Sequence, residues 1–154
     1  MVMKDIAKLY NEVLNMKHAN IERERRMQYE SLFNNLMAMG MVRADVHIEQ
    51  ALELEINFFR KFIEYAMIKF NELKNEPSVE IYELEKVYKY GIDKFFSNSL
   101  QRMIGIINNV RSSIKEEFAI EHLKKIREEA LQKLETVKEL NRNFEKKEEL
   151  IRNI

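Results

Sequence analysis

The sequence predicts an all-α protein: an elongated bundle of four to five helices with a long, coiled-coil-like C-terminal helix. Three observations lead there. Only three glycines and one proline punctuate 154 residues, so turns are few, and good helix formers dominate nearly everywhere. No run alternates apolar and polar residues between turn signals as a strand would. The third observation is the stretch from Val46 to Leu73. At 100° per residue its apolar side chains, among them Ile48, Leu52, Phe58, Phe59, Phe62, Ile63 and Phe70, spread over roughly 220° of the helix. Such a helix needs neighbours on several sides, so it is read as the central member of the bundle.

Composition narrows the function classes. A chain of this length is expected to be one helical domain, 1–154, with enough core to need no covalent staple. It has no cysteine, which excludes disulfides, thiolate metal sites and a cysteine nucleophile and fits a cytoplasmic setting. Basic and acidic residues balance at 26 each, leaving no net field to gather nucleic acid or an anionic membrane. Lys4, Asp5 and Lys8 interrupt the apolar residues of the N-terminus, unlike a secretory signal. The longest apolar run, Met103 to Ile107, falls far short of the roughly 18 residues of a membrane span. No membrane partner is expected.

In chain order, the first helix should run from about Lys4 towards Met39, stopped by Gly40. Ile6, Leu9, Tyr10, Val13, Leu14 and Met16 make one apolar face. From Lys17 to Arg26 only Ala19 and Ile21 are apolar, and the face that returns with Met27, Tyr29, Leu32, Phe33, Leu36 and Met37 is rotated. Either the helix bends near Asn20 or its middle crosses a solvated gap. Asp45 is placed to cap the central helix, which should end near Lys74 at the break Asn75, Glu76, Pro77 and Ser78. Ser78 is the expected cap of the third helix.

The third segment, Val79 to Ser112, carries Ile81, Leu84, Tyr88, Ile92 and Phe95, then Leu100, Met103, Ile104 and Ile107 on a drifting face, with Ser97, Asn98 and Ser99 between. One kinked helix and two separate helices are equally compatible with that pattern. Ser113 with Glu116 has capping-box spacing, so the last helix should start at Ile114. Running to about Ile151 it would be about 57 Å long at 1.5 Å per residue. Leu123, Ile126, Ala130, Leu134, Val137, Asn141, Phe144 and Ile151 form a narrow stripe flanked by alternating charges, suited to one or two partner helices. The expectation is that it packs along the first helix. The alternative is that its end, 141–154, projects and pairs Val137, Asn141, Phe144 and Ile151 with another copy or another helical protein.

Signs of chemistry are sparse. His18, His47 and His122 have no second histidine at a ligand spacing, and none has a glutamate three residues before it, which disfavours helical zinc and di-iron sites. Asp45, Glu49 and Glu53 are one turn apart but read as solvated. Gly40, Gly91 and Gly105 stand alone, so there is no phosphate loop. No serine sits in a nucleophile elbow. Arg43 and His47 are spaced too closely for a helical ribonuclease motif of the HEPN type. No catalytic residue, cofactor or metal is assigned, and an enzyme is not expected.

Two features break the apolar logic. Glu55 falls inside the central helix's apolar arc, where an unpaired carboxylate is costly. It is read as ion-paired with an arginine or lysine of a neighbouring helix or exposed where the bundle is open, or else as a ligand or register-setting contact. Between Asp93 and Glu116 there is no acidic residue, whereas Lys94, Arg102, Arg111 and Lys115 are basic and Asn108 and Asn109 are amides. Such a stretch is read first as a weakly charged helix buried on two sides, and otherwise suits phosphates or a protein partner. Arg23, Arg25 and Arg26 are a weaker candidate, neutralised by Glu22, Glu24 and Glu30. Val87 to Asn108, with the amphipathic Met27 to Leu36, is similar to the helical domain of archaeal GINS replication scaffolds, where a helix ends in a basic, isoleucine-rich turn such as Leu100, Gln101, Arg102, Met103, Ile104. That resemblance spans well under half the chain, and no small β-domain usual in that family is legible at either end, so no family is assigned on it. The sequence therefore points to a structural or protein-interaction protein that self-associates through helical surfaces. A nucleic-acid-associated accessory protein using 94–115 is the alternative, and an enzyme or metal protein the third reading.

Overall fold

The computed structural model describes residues 5–40, 45–109 and 113–153. Among them are four helices and no strand: α1 (Ile6–Ala38), α2 (Asp45–Leu73), α3 (Ile81–Asn109) and α4 (Glu116–Arg152). None is long and apolar enough to cross a membrane. Asp5 caps α1 by accepting from the Lys8 amide at 3.1 Å. Gly40, at a φ of 68°, supplies the left-handed turn beyond the C-terminus of α1.

The central position of α2 follows from its wide apolar arc: it packs against α1, α3 and α4. So does α3 against its three companions, whereas α1 and α4 share no contact among the described residues. The bundle is thus a rhombus, with α2 and α3 across its middle and α1 and α4 on opposite flanks. This corrects the expectation that the last helix lies along the first. The reason is connectivity and coverage together: a short link makes α4 the antiparallel neighbour of α3, and α1 already occupies the far side of the α2–α3 pair.

One open alternative is decided and two local expectations change. The segment from Val79 to Ser112 holds one continuous helix, Ile81–Asn109, which passes through Ser97, Asn98 and Ser99 without a break. It begins three residues beyond Ser78. The capping box at the start of α4 does not form. Lys115 occupies the cap position without a side-chain bond, while Ser113 donates its hydroxyl to Asp45 Oδ2 at 3.1 Å and its amide to Asp45 Oδ1 at 3.3 Å. Serine there ties the α3–α4 link to the start of α2 instead of capping its own helix.

Two apolar groups fill the interior. The larger joins Tyr10, Leu14, Phe59, Phe62, Phe70, Tyr88, Ile92 and Phe95 with Ile126, Ala130 and Leu134. In it Phe62 stacks on Phe95 at 4.9 Å and Phe59 meets Phe95 edge-on at 5.2 Å. The buried hydroxyls of Tyr10 and Tyr88 donate to the carbonyls of Ala66 and Ala130 at 2.6 and 2.8 Å, pinning α1 to α2 and α3 to α4. Gly91 lets the helices close, since a Cβ there would stand 3.3 Å from Leu14 Cδ1 and 3.5 Å from Phe62 Cζ. The smaller group joins Ile48, Ala51, Leu52, Met103, Ile107, Ala119 and Leu123.

Candidate functional site

Between the two apolar groups each of three helices turns a polar side chain inward at the same level. Counting only apolar residues makes α1 seem to lose its face after Met16. Counting positions, Ile6, Tyr10, Leu14, His18, Ile21, Arg25, Tyr29, Leu32 and Leu36 are a single stripe at three-and-four spacing. His18 and Arg25 are therefore buried. The middle of α1 crosses a charged interior and not a solvated gap. By the same spacing Glu55 lies on the inner stripe of α2, and Ser99 on that of α3; both are fully buried.

Glu55 is held by two arginines and a serine. Arg102 Nε donates to its Oε1 at 2.7 Å, Ser99 Oγ donates to its Oε2 at 3.3 Å, and Arg25 Nε stands 3.2 Å from Oε2. The last contact is an ion pair without hydrogen-bond alignment: Arg25 Nε and one of its terminal nitrogens are buried with no hydrogen-bond partner. Its guanidinium packs instead near the rings of Phe95 and Phe58, at 5.4 and 5.9 Å, and such contact returns part of the lost hydration. Glu22 is the outer acid. It accepts from both terminal nitrogens of Arg102 at 3.2 Å each, pairs with Arg25, and lies 3.2 Å from His18 Nε2. Two carboxylates and two guanidinium groups thus balance across α1, α2 and α3.

This arrangement sets two protonation equilibria. Burial pushes His18 below its ordinary value of 6.5, and the cations Lys94 and Arg25 push the same way, together outweighing the attraction of Glu22. Burial alone would raise Glu22, but the hydrogen bond and charge of Arg25, with Arg102 and His18 behind, hold it below 4.5. His18 is a neutral ring wedged against Phe95 and Phe62, at 5.0 and 5.9 Å.

The layer reaches solvent along the α1–α3 groove. There a cavity of about 310 Å³ is lined by Asn15, His18, Ala19, Glu22, Lys94, Asn98 and Arg102. Arg102 is consequently not a free surface cation, as the acid-free stretch suggested: it spends three nitrogens on Glu55 and Glu22, and its side chain is 32 % exposed. Lys94, Asn108, Asn109 and Lys115 are exposed, and Arg111 lies outside the described residues. Arg25 likewise leaves the surface cluster expected of it, while Glu24 pairs with Lys61 of α2 at 2.8 Å. Of the helix-pairing candidates, Val137 and Asn141 are half-buried and Ile151 is exposed; the Phe144 side chain lies outside what is described.

Asp45, Glu49 and Glu53 are exposed, and no group of three or more histidine, aspartate or glutamate side chains among the described residues is placed to hold a metal ion. The signal that could have located the layer was positional, namely polar residues at core register on three helices. Compared with models of known families, with characterised proteins and with solved structures, the chain matches none, so its function has to be read from its own surfaces.

Proposed function

We propose that the protein is an assembly protein that acts through helical contact and associates with a second copy of itself along the end of α4. One observation carries this reading. The stripe buried inside the bundle at Ala119, Leu123, Ile126, Ala130 and Leu134 continues in register through Val137 and Asn141 to Ile151, which is 70 % exposed, with Leu140, 64 % exposed, along its edge. Ile151 stands two heptads beyond Val137, so it keeps the same face to within the small drift of a straight helix. A stripe of this kind is stable only when another helix covers it.

The flanking charges favour a like partner. From Lys138 to Arg152 five basic residues, Lys138, Arg142, Lys146, Lys147 and Arg152, interleave with four acidic ones, Glu139, Glu145, Glu148 and Glu149. A second copy therefore meets mixed charge and no uniform repulsion. Light scattering of the full chain over a range of concentrations is expected to give a dimer that dissociates on dilution. The pair Leu140→Lys and Ile151→Lys should leave a monomer that melts where the wild-type chain does when diluted to monomer, because both side chains are outside the core. A monomer at every concentration, or a dimer indifferent to the pair, overturns the reading.

A further inference from the structure

We infer that the α1–α3 groove is a binding site for a small oxyanion, of the size and charge of a phosphate or a short phosphate monoester. The groove is separate from the self-association surface, which lies at the far end of α4. Its charge is the first ground. Arg25 and Arg102 balance Glu22 and Glu55, so the buried layer is neutral by itself. Lys94 then stands at the mouth as a surplus cation, exposed and with no ion pair among the described residues. Lys61 and Lys138 by contrast each meet an acid of a neighbouring helix, Glu24 and Glu85, and Lys17 rests on the ring of Tyr65.

Three more of the lining side chains, Arg102, Asn15 and Asn98, carry donors. Each terminal nitrogen of Arg102 carries two hydrogens and spends one on Glu22, leaving one apiece in its part-exposed guanidinium. Asn15 and Asn98 bring amide groups that make no side-chain hydrogen bond within the described residues. Glu22, the one acid of the lining, already accepts from Arg25, Arg102 and His18, so its charge is spent inward. A cation entering would face Lys94 and Arg102 and find Glu22 taken. An apolar ligand would meet the carbon atoms of the lining but would have to cover the charges of Lys94 and Arg102. An oxyanion finds a lysine, two guanidinium hydrogens and two amides converging on about 310 Å³, near the lower end of ligand-pocket volumes. The fork of Arg102 is held between the buried Glu55 and the part-exposed Glu22, which removes much of the ordering cost of binding.

The arrangement also gives the buried layer a purpose that packing does not. Apolar residues of similar volume would hold three helices together as well or better, but they could not present a guanidinium of fixed orientation at the surface. Lys94 and Asn98, one turn apart on α3, add the second and third contacts.

Titration of the full chain with inorganic phosphate, followed by amide chemical shifts against chloride at matched ionic strength, tests this. Saturable one-to-one binding is expected, with shifts centred on Asn15, Lys94 and Asn98. Lys94→Gln should weaken it about tenfold or more, the usual worth of a charge-assisted bond, and Asn98→Leu should weaken it less. Lys89→Gln, five residues earlier on the exposed side of α3, should leave it unchanged. Shifts that never saturate, or equal weakening by Lys94→Gln and Lys89→Gln, would mean diffuse attraction to surface lysines and overturn the assignment. All three positions are exposed or part-exposed, and a retained melting temperature separates lost binding from lost folding.

Discussion

Two regions of this bundle are equally dry and physically opposite. The aromatic group around Phe62, Phe95 and Tyr88 and the charged layer of Arg25, Glu55 and Ser99 are adjacent, and almost none of these side chains touches solvent. In the first, burial itself is the driving force, since each aromatic ring removes a large apolar area from water. In the second, burial is a cost that the ion pairs offset only because they are made together. The lesson is that exposure alone does not tell which residues stabilise a core. A layer that must be satisfied jointly does something else: it fixes axial register, because sliding any of the three helices by one turn would strand a charge between apolar side chains.

The sharpest way to break this contrast is to remove one partner on each side. Glu55→Leu removes the fully buried acid of the layer, leaving Arg25, only 2 % exposed, with Glu22 alone and Ser99 without its acceptor, and should cost about 3–5 kcal/mol in urea unfolding. The combination Arg25→Met, Glu55→Leu, Ser99→Ala and Arg102→Leu should recover most of that loss, since the one charge of the layer left behind, Glu22, is part-exposed; if the quadruple variant is no more stable than Glu55→Leu, the layer is not a jointly compensated network. Phe95→Ala should cost a similar ~3–5 kcal/mol. No second truncation next to it should give the loss back, because cavities add where charges cancel.

A smaller effect sharpens the comparison through pH. His18 is held below its ordinary 6.5, so the unfolded chain takes up its proton first as the medium is acidified. Its contribution to stability is complete above that value and is lost as pH falls through the lowered folded-state value. Glu22, also lowered, adds an acid-side loss that begins only below 4.5. The melting temperature should therefore fall on going from neutral pH to about 5, and His18→Gln should flatten that fall. A residual slope remains from His47, which burial also lowers. A wild-type profile that is level or rises towards acid would contradict the arrangement.

Much of the fold was legible because it depends on local pattern. Gly40 and Pro77 mark stops that backbone sterics impose wherever they occur. The oily circumference of 46–73 placed α2 in the interior before any neighbour was known, and α2 indeed packs on three helices. The site was less legible. Glu55 stood out because one carboxylate in an apolar arc is conspicuous, but its partners did not: Arg25 was hidden among Glu22, Glu24 and Arg26, where helix-neighbour pairing explained it too easily, and Ser99 resembled a helix interruption. Arg102 lay in an acid-free stretch because its acids are on α1 and α2, distant in sequence by 80 and 47 residues.

The sequence by itself determined that there would be helices, nearly where they begin and end, and which face of each is apolar, since these follow from propensity, capping and a repeat of 3.6 residues acting within a few turns. Tertiary structure alone decided that α4 covers α2 and α3 and, among the described residues, does not meet α1, and that an arginine drawn into the core would find a glutamate waiting there. Both outcomes depend on which surfaces meet across long separations in the chain. A periodic pattern states that a face must be covered, and only packing chooses what covers it.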